Sequence, residues 1–320
     1  MDKVRVGFIG CGFWANTVHY PSLARMDDVV VAAVCDLNHD RLKETASKYG
    51  IERSFSDYRQ MVEEVELDAV YIVMPPHHLF DLTVDCLNRK LHVFIEKPPG
   101  LTRWQTESMA RTAERNGCKT MVGFNRRFIP LMMKMRSMVE EKGPITECVA
   151  TFYKNMGGVE EPYYGGAVDV LTCDAIHAVD TLRWLGGEVR ELYSSVRKLH
   201  SRYYNMFVAI IQFEGGSIGV LLTNWAAGKR VHTFEMHAKG ISAFINPDEE
   251  GVIYKDNRSE GITLSTKDAA GSDEFYIYYG YYQENRHFID CIKEDRLPQT
   301  HFGDAVETME LVERIYRTAL

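Results

Sequence analysis

The sequence predicts an α/β fold: a parallel sheet wound on both faces by helices, followed by a second part built on an antiparallel sheet. Three observations predict it. Short apolar runs alternate with helical patterns over residues 4–124, as strand–helix–strand units require. A glycine turn of the form G-x-G-x-x-A leaves the first run at Gly10, Gly12 and Ala15. After Gly187 the strand candidates follow one another through glycine or polar turns, as successive hairpins do. A length of 320 residues, 45% hydrophobic and 26% charged, suits two globular domains, expected at 1–122 and 123–320.

In order, residues 4–10 (VRVGFIG) read as a buried strand and residues 14–25 as the helix after the turn. Gly10 permits the tight turn, Gly12 lets the backbone approach a pyrophosphate, and Ala15 lets the helix pack closely. The strand at 29–35 ends in Asp36, some two dozen residues beyond the glycines and near the ~20 at which an acid accepts hydrogen bonds from the adenosine ribose and repels a 2′-phosphate. NAD is therefore favoured over NADP, and the competing reading of Asp36 is a helix cap. A helix over 56–64 and a strand over 69–74 precede Pro75 and Pro76; a helix over 77–90 then leads to LHVFIEKPPG at 91–100. Two prolines end that strand, leaving Glu96 and Lys97 at its carboxyl end, the ligand-binding edge of an open α/β sheet. Thr102 and Gln105 have capping-box spacing for the next helix, and a strand at 120–124 closes the set.

In the second half a helix over 169–185 carries Asp174, His177 and Asp180 at three-residue intervals, so each acid lies beside the imidazole. Such a row is either a helix-surface ion network or a carboxylate-supported general base. Strands are expected at 190–199, 203–213, 217–225, 231–237 and 242–246, with FEGGS at 213–217 as a hairpin turn. The aromatic run at 275–282 reads as packing surface, and Met132, Met135 and Met138 as core or interface.

The net charge of −8 argues against a general nucleic-acid or anionic-membrane partner. Seven cysteines without a Cys-x-x-Cys pair are expected to be reduced thiols in a cytoplasmic protein. Residues 1–10 enter a strand at once, leaving no room for a signal peptide. No apolar run approaches the ~20 residues that span a bilayer, and no His/Cys spacing suggests a metal.

GFIGCGFWA, VCD, VFIEKPPG, MVGFNRRF at 121–128 and PYYGGAVDVLTCDAIHAVDTLRWLGG at 162–187 together resemble the glucose-fructose oxidoreductase, inositol dehydrogenase and rhizopine catabolism family of nicotinamide-dependent oxidoreductases. The resemblance implies an amino-terminal Rossmann domain and a carboxyl-terminal α+β domain with a large, mostly antiparallel sheet that often forms a homodimer or homotetramer. It implies oxidation of a secondary carbinol of a sugar, cyclitol or related polyol with NAD. Carried over by residue, Lys97, His177 and Asp174 are catalytic. Gly10, Gly12, Phe13, Trp14, Ala15, Asp36, Pro75, Pro76, His78, Glu96 and Lys97 contact the cofactor. Lys97, Asn125, Arg126, Tyr164, Asp174 and His177 contact the substrate, with Trp225 a further candidate. The pattern departs from the family twice. Cys173 stands four residues before His177, where an aspartate is common, and Leu79 stands where a histidine is common, with His77 and His78 earlier. Two alternatives on the same scaffold are a glycoside-cleaving enzyme using transient oxidation and a non-catalytic NAD sensor.

Overall fold

The computed structural model describes residues 3–158 and 160–319; the outermost residues of the two expected domains, 1–2 and 320, lie outside them. The first part runs β1 (Val4–Ile9), α1 (Tyr20–Ala24), β2 (Val29–Cys35), α2 (His39–Tyr49), β3 (Ser54–Phe55), α3 (Tyr58–Glu64), β4 (Ala69–Ile72), α4 (Leu79–Asn88), β5 (His92–Ile95), α5 (Arg103–Asn116) and β6 (Thr120–Val122). The six strands are parallel in the order β3-β2-β1-β4-β5-β6. Strand order reverses at β1, so the glycine turn leaves the sheet at its switch point, where doubly wound sheets bind ligands.

Local chemistry sets the helix ends. Asn38 caps α2 by accepting from the Arg41 amide, Asp57 caps α3 and Thr102 caps α5. Asp36 is therefore not a helix cap. Gln105 returns its side chain to the Leu101 amide at 2.7 Å, one residue before the position the capping box predicts. The helix expected over 14–25 begins as a π-helical turn at Ala15–His19 before α1, and a 3₁₀ turn at Pro76–His78 precedes α4.

The second part runs α6 (Pro130–Glu140), β7 (Glu147–Asn155), α7 (Ile176–Gly186), β8 (Val189–Arg197), β9 (Met206–Phe213), β10 (Ile218–Asn224), β11 (Ala226–Ala238), β12 (Ile241–Ile245), β13 (Glu250–Lys255), β14 (Ile262–Ser265) and α8 (Thr266–Ala270). Eight strands form one sheet, β14-β13-β12-β11-β7-β10-β9-β8, antiparallel except for β7 with β10. Three of these, β7, β13 and β14, fall outside the expected strands, and β7 lies in the middle of the sheet. The hairpin at 213–217 forms as expected: the Gly216 amide bonds to the Phe213 carbonyl at 3.0 Å and Gly216 has φ +88°.

Register separates the faces of this sheet. The row Leu192, Ile211, Gly219, Cys148, Met236, Ala243 and Ile253 is buried throughout, and α6 and α7 pack against these strands. The adjacent row Tyr193, Ile210, Val220, Val149, Glu235, Phe244 and Val252 points the other way, and there Tyr193, Ile210 and Phe244 are exposed.

The chain ends with α9 (Phe275–Tyr278), α10 (Tyr281–Lys293) and α11 (Phe302–Arg317). The compact units are not contiguous in sequence, unlike the single cut expected after residue 122: Phe275–Ile277 and Tyr281–Val306 join the unit that runs up to Phe124, and the rest forms the second unit. Hydrogen bonds explain the return. Arg286 of α10 grips Asp28 through both terminal nitrogens, at 2.7 and 3.2 Å, and the Thr300 carbonyl extends β6 by accepting from the Val122 amide at 2.9 Å. Among the described residues no helix is long and apolar enough to cross a membrane. All seven cysteines are buried and none forms a disulfide.

Candidate active site

The first unit presents a cradle at the carboxyl ends of β1 and β2. Gly10 has φ +110°, and a Cβ there would lie 2.3 Å from the Val73 carbonyl oxygen, so the turn admits only glycine. Gly12 is different: a Cβ there would meet nothing within 4 Å. Protein packing does not demand that glycine, and the open space leaves its backbone accessible to close approach by a ligand. Asp36 accepts from the Cys11 amide and the Asn38 amide, both at 2.7 Å, which fixes an acid beside the glycine turn. Asn16 braces the turn through its side-chain amide, which donates to the Cys11 carbonyl and Thr45 hydroxyl at 3.0 Å. Ala15 is fully buried, as close helix packing needs, while Phe13 and Trp14 are exposed. These residues fit a dinucleotide: an open backbone approach for phosphates and a fixed carboxylate for a ribose.

At the end of β5, Glu96 accepts from the Lys97 amide at 3.1 Å and pairs with His19 at 3.0 Å. His19 is fully buried, with its other ring nitrogen against Asn285. His19, Glu96 and Glu284 bring one ligand atom each to within 4.8 Å of one another. Glu96 thus shapes the strand exit from which Lys97 projects half-buried. Pro76 is buried, Pro75 half-buried and His78 exposed at the 3₁₀ turn beyond β4.

The second unit gathers His177, Asp174 and Arg126. A π-helical turn, Leu171–Ala175, precedes α7 and leaves both Asp174 and His177 buried. Asp174 takes the Lys154 ammonium and accepts from the Tyr163 hydroxyl at 2.5 Å. That hydroxyl accepts in turn from the Trp225 indole at 3.2 Å. Burial, then the charge of Asp174, pushes the Tyr163 phenol far above its usual range, so it stays a donor. Asp180, the other acid of the expected row, is held by Arg127 at 2.8 and 2.5 Å and by the Thr308 hydroxyl at 2.9 Å. With 4% and 1% side-chain exposure, Arg127 and Asp180 form a buried ion pair that anchors α7.

Arg126 Nη1 donates to the Asn125 side-chain oxygen at 2.6 Å and lies 3.2 Å from His177 Nε2. A guanidinium can only donate, so His177 is a neutral imidazole with its lone pair on Nε2. Arg126 also stacks over Tyr279, 5.1 Å from the ring centre. The Asn125 amide is spent within the protein, since its nitrogen donates to the Tyr279 carbonyl at 2.8 Å. Tyr164 is exposed at φ +57°, and Trp225 is buried.

Four residues carry structure here that sequence reasoning does not single out: Asn16, His19, Lys154 and Tyr163. Asn16 and His19 follow the glycine turn, and their signal is that of polar residues on a helix face meant for burial. Lys154 sits in β7, the strand absent from the expected set, and reaches the site only through sheet register.

Comparison with known proteins agrees with both halves. Residues 4–124 match the oxidoreductase family with an NAD-binding Rossmann fold, and residues 132–242 match the GFO/IDH/MocA carboxyl-terminal domain. The chain is 25% identical to the myo-inositol 2-dehydrogenase of Thermotoga maritima, over 92% of this chain and 90% of that one. It is 23% identical to the D-apiose dehydrogenase of Paraburkholderia graminis, over 100% and 88%. A levoglucosan dehydrogenase structure in complex with NADH shares the fold with a TM-score of 0.87 at 20% identity, covering 99% of this chain and 97% of that one. With an NAD-binding domain, a mostly antiparallel second domain and family matches along most of its length, the protein belongs to the GFO/IDH/MocA family of oxidoreductases.

Proposed function

We propose that the protein is an NAD-dependent dehydrogenase that oxidises a secondary carbinol of a sugar, cyclitol or related polyol. The observation that carries this reading is His177: a buried neutral imidazole with its lone pair on Nε2, on a chain of an NAD-binding family. The named relatives that act on inositol and apiose support the substrate class.

NAD, when bound, supplies the acceptor for the carbinol hydride. Gly10, Gly12 and Asp36 would hold its pyrophosphate and ribose, with Ala15 letting the helix pack closely behind the turn and Phe13, Trp14, Pro75, Pro76 and His78 along the same edge. His177 Nε2 takes the hydroxyl proton, releasing the hydrogen bond from Arg126 as the substrate hydroxyl replaces it. Lys97 holds positive charge beside the developing alkoxide. Asp174, fixed by Lys154 and Tyr163, binds a neighbouring substrate hydroxyl. Arg126 and Tyr164 complete the substrate side, and Asn125, expected there from the sequence, instead holds Arg126 through its side-chain oxygen.

The protein acts in the cytoplasm as a homodimer or homotetramer, and the sheet face bearing exposed Tyr193, Ile210 and Phe244 supports the oligomer. A panel of polyols and sugars with NAD and NADP, followed at the nicotinamide absorbance, tests the function. NADH formation with NAD supports it, and cleavage of a glycoside without net NADH points to redox-assisted hydrolysis instead.

A further inference from the structure

The second unit concentrates positive charge around His232, and one of these cations, Arg126, also meets His177. Arg126, Lys154 and Arg230 all act on His232, which is 1% exposed. Burial and then those three charges hold His232 well below its ordinary value, so it adds no charge of its own. Two of the cations have carboxylates: Lys154 pairs with Asp174 and Arg230 with Asp248. Arg230 also donates to the Tyr279 hydroxyl at 3.0 Å.

Arg126 has no such partner. Its residue exposure is 6%, its Nε is buried without an acceptor, and no carboxylate pairs with it among the described residues. Its neighbour Arg127 has the same sequence surroundings and a bidentate carboxylate. Nη1 is occupied by Asn125 and His177. The edge that remains, Nε with Nη2, is the fork that Arg127 uses on Asp180 and that suits the two oxygens of a carboxylate. Among the described residues, Lys154 and Arg230 each have a carboxylate partner and Arg126 has none.

We propose that the substrate of the His177 site is a polyhydroxy acid, an aldonate or uronate, whose carboxylate is bound by Arg126 while a secondary hydroxyl of the same molecule faces His177. This rests on the dehydrogenase reading and names its substrate class. The reaction balances as for any carbinol: the C–H bond gives its electron pair and hydrogen to NAD⁺ as hydride, the O–H proton goes to His177, and a keto acid and NADH result. The carboxylate is a handle and takes no part in bond making.

The test compares matched pairs, D-gluconate with D-gluconamide and D-galacturonate with its methyl ester. Neutral myo-inositol and an inositol monophosphate are included as further probes. Wild type should favour an acid over its neutral partner by about 100-fold in kcat/KM, the scale of a lost bidentate charge-assisted contact. Arg126→Met should bring that ratio near one, and Arg126→Lys should keep part of it. A second readout needs no turnover: the acid, and not its amide or ester, should raise the thermal midpoint of wild type and fail to do so in Arg126→Met. Equal turnover of acid and neutral partners, preference for the phosphate, or an acid preference that survives Arg126→Met would overturn the proposal. So would the absence of stabilisation by any acid. If no compound of either charge reduces NAD, the dehydrogenase reading fails instead, and the midpoint shifts still decide the anion question. Should Arg126→Met not fold, the wild-type pairs and Arg126→Lys decide between the same two outcomes.

Discussion

The buried pair Arg127–Asp180 separates structural from chemical roles on α7, and its energetics can be worked from the geometry. Both side chains are almost fully enclosed and joined by two hydrogen bonds at 2.5 and 2.8 Å. Asp180→Leu or Arg127→Met alone strands the opposite charge in the interior, a loss of about 3–5 kcal/mol. Asp180→Leu also removes the acceptor of the Thr308 hydroxyl, an added cost of about 1 kcal/mol. The double variant removes both charges at similar volume and should recover to within about 1–2 kcal/mol of wild type. Urea unfolding of the four proteins gives the cycle, with unchanged slopes as the condition for comparing midpoints. The double variant should keep kcat within about threefold, because neither side chain touches His177 chemistry. A single variant that costs under about 1 kcal/mol, or a folded double variant without turnover, would refute the assignment of Asp180 to anchoring.

Two other predictions concern the first unit. Asp36→Ala removes the acceptor of the Cys11 and Asn38 amides and the negative charge that excludes a 2′-phosphate, so affinity should fall about tenfold or more for NAD and less for NADP; equal losses in titrations with both cofactors would remove Asp36 from ribose recognition. Burial, reinforced by Arg296, lowers the His287 pKa to about 4. Between that value and the ordinary 6.5 the unfolded chain binds more protons there than the folded one, so this contribution is present above 6.5 and lost as pH falls through the window, and solvent screening of the part-exposed ring holds it well under about 3 kcal/mol. His92 and His232 are lowered in the same direction. Unfolding midpoints measured from pH 7 to 4 should therefore fall, and His287→Gln should flatten part of that slope; an unchanged slope would mean that His287 titrates normally.

The parallel sheet is legible in the sequence because its signals are local. Apolar runs of four to seven residues, glycine turns and caps at Asn38, Asp57 and Thr102 each act within a few residues. The Gly10–Asp36 relation is legible too, since the fold places the end of β2 beside the turn after β1. What escapes depends on distant partners. Strand β7 falls outside the expected set, yet it is the centre of the second sheet, where register delivers Lys154 to Asp174. The Asp174–His177–Asp180 row predicts one network on a helix face, but long-range cations divide it: Lys154 takes Asp174, Arg127 takes Asp180 and Arg126 meets His177. The π-helical turn at Leu171–Ala175 alters the spacing on which such a row depends. The return of α10 to the first unit rests on Arg286 and Lys293 meeting Asp28, a pairing across more than 250 residues that no local pattern announces.

The central claim is hydride transfer from a carbinol to NAD with His177 as base and Lys97 beside the alkoxide. Its most direct test is the rate of NADH formation by wild type, His177→Ala and Lys97→Ala on the same panel, with NAD binding titrated in parallel. The account predicts NADH formation by wild type with at least one compound, and in both variants NAD binding within about threefold of wild type with turnover reduced about 100-fold or more. Near-normal turnover in either variant, or no NAD reduction by wild type across the panel, would contradict it.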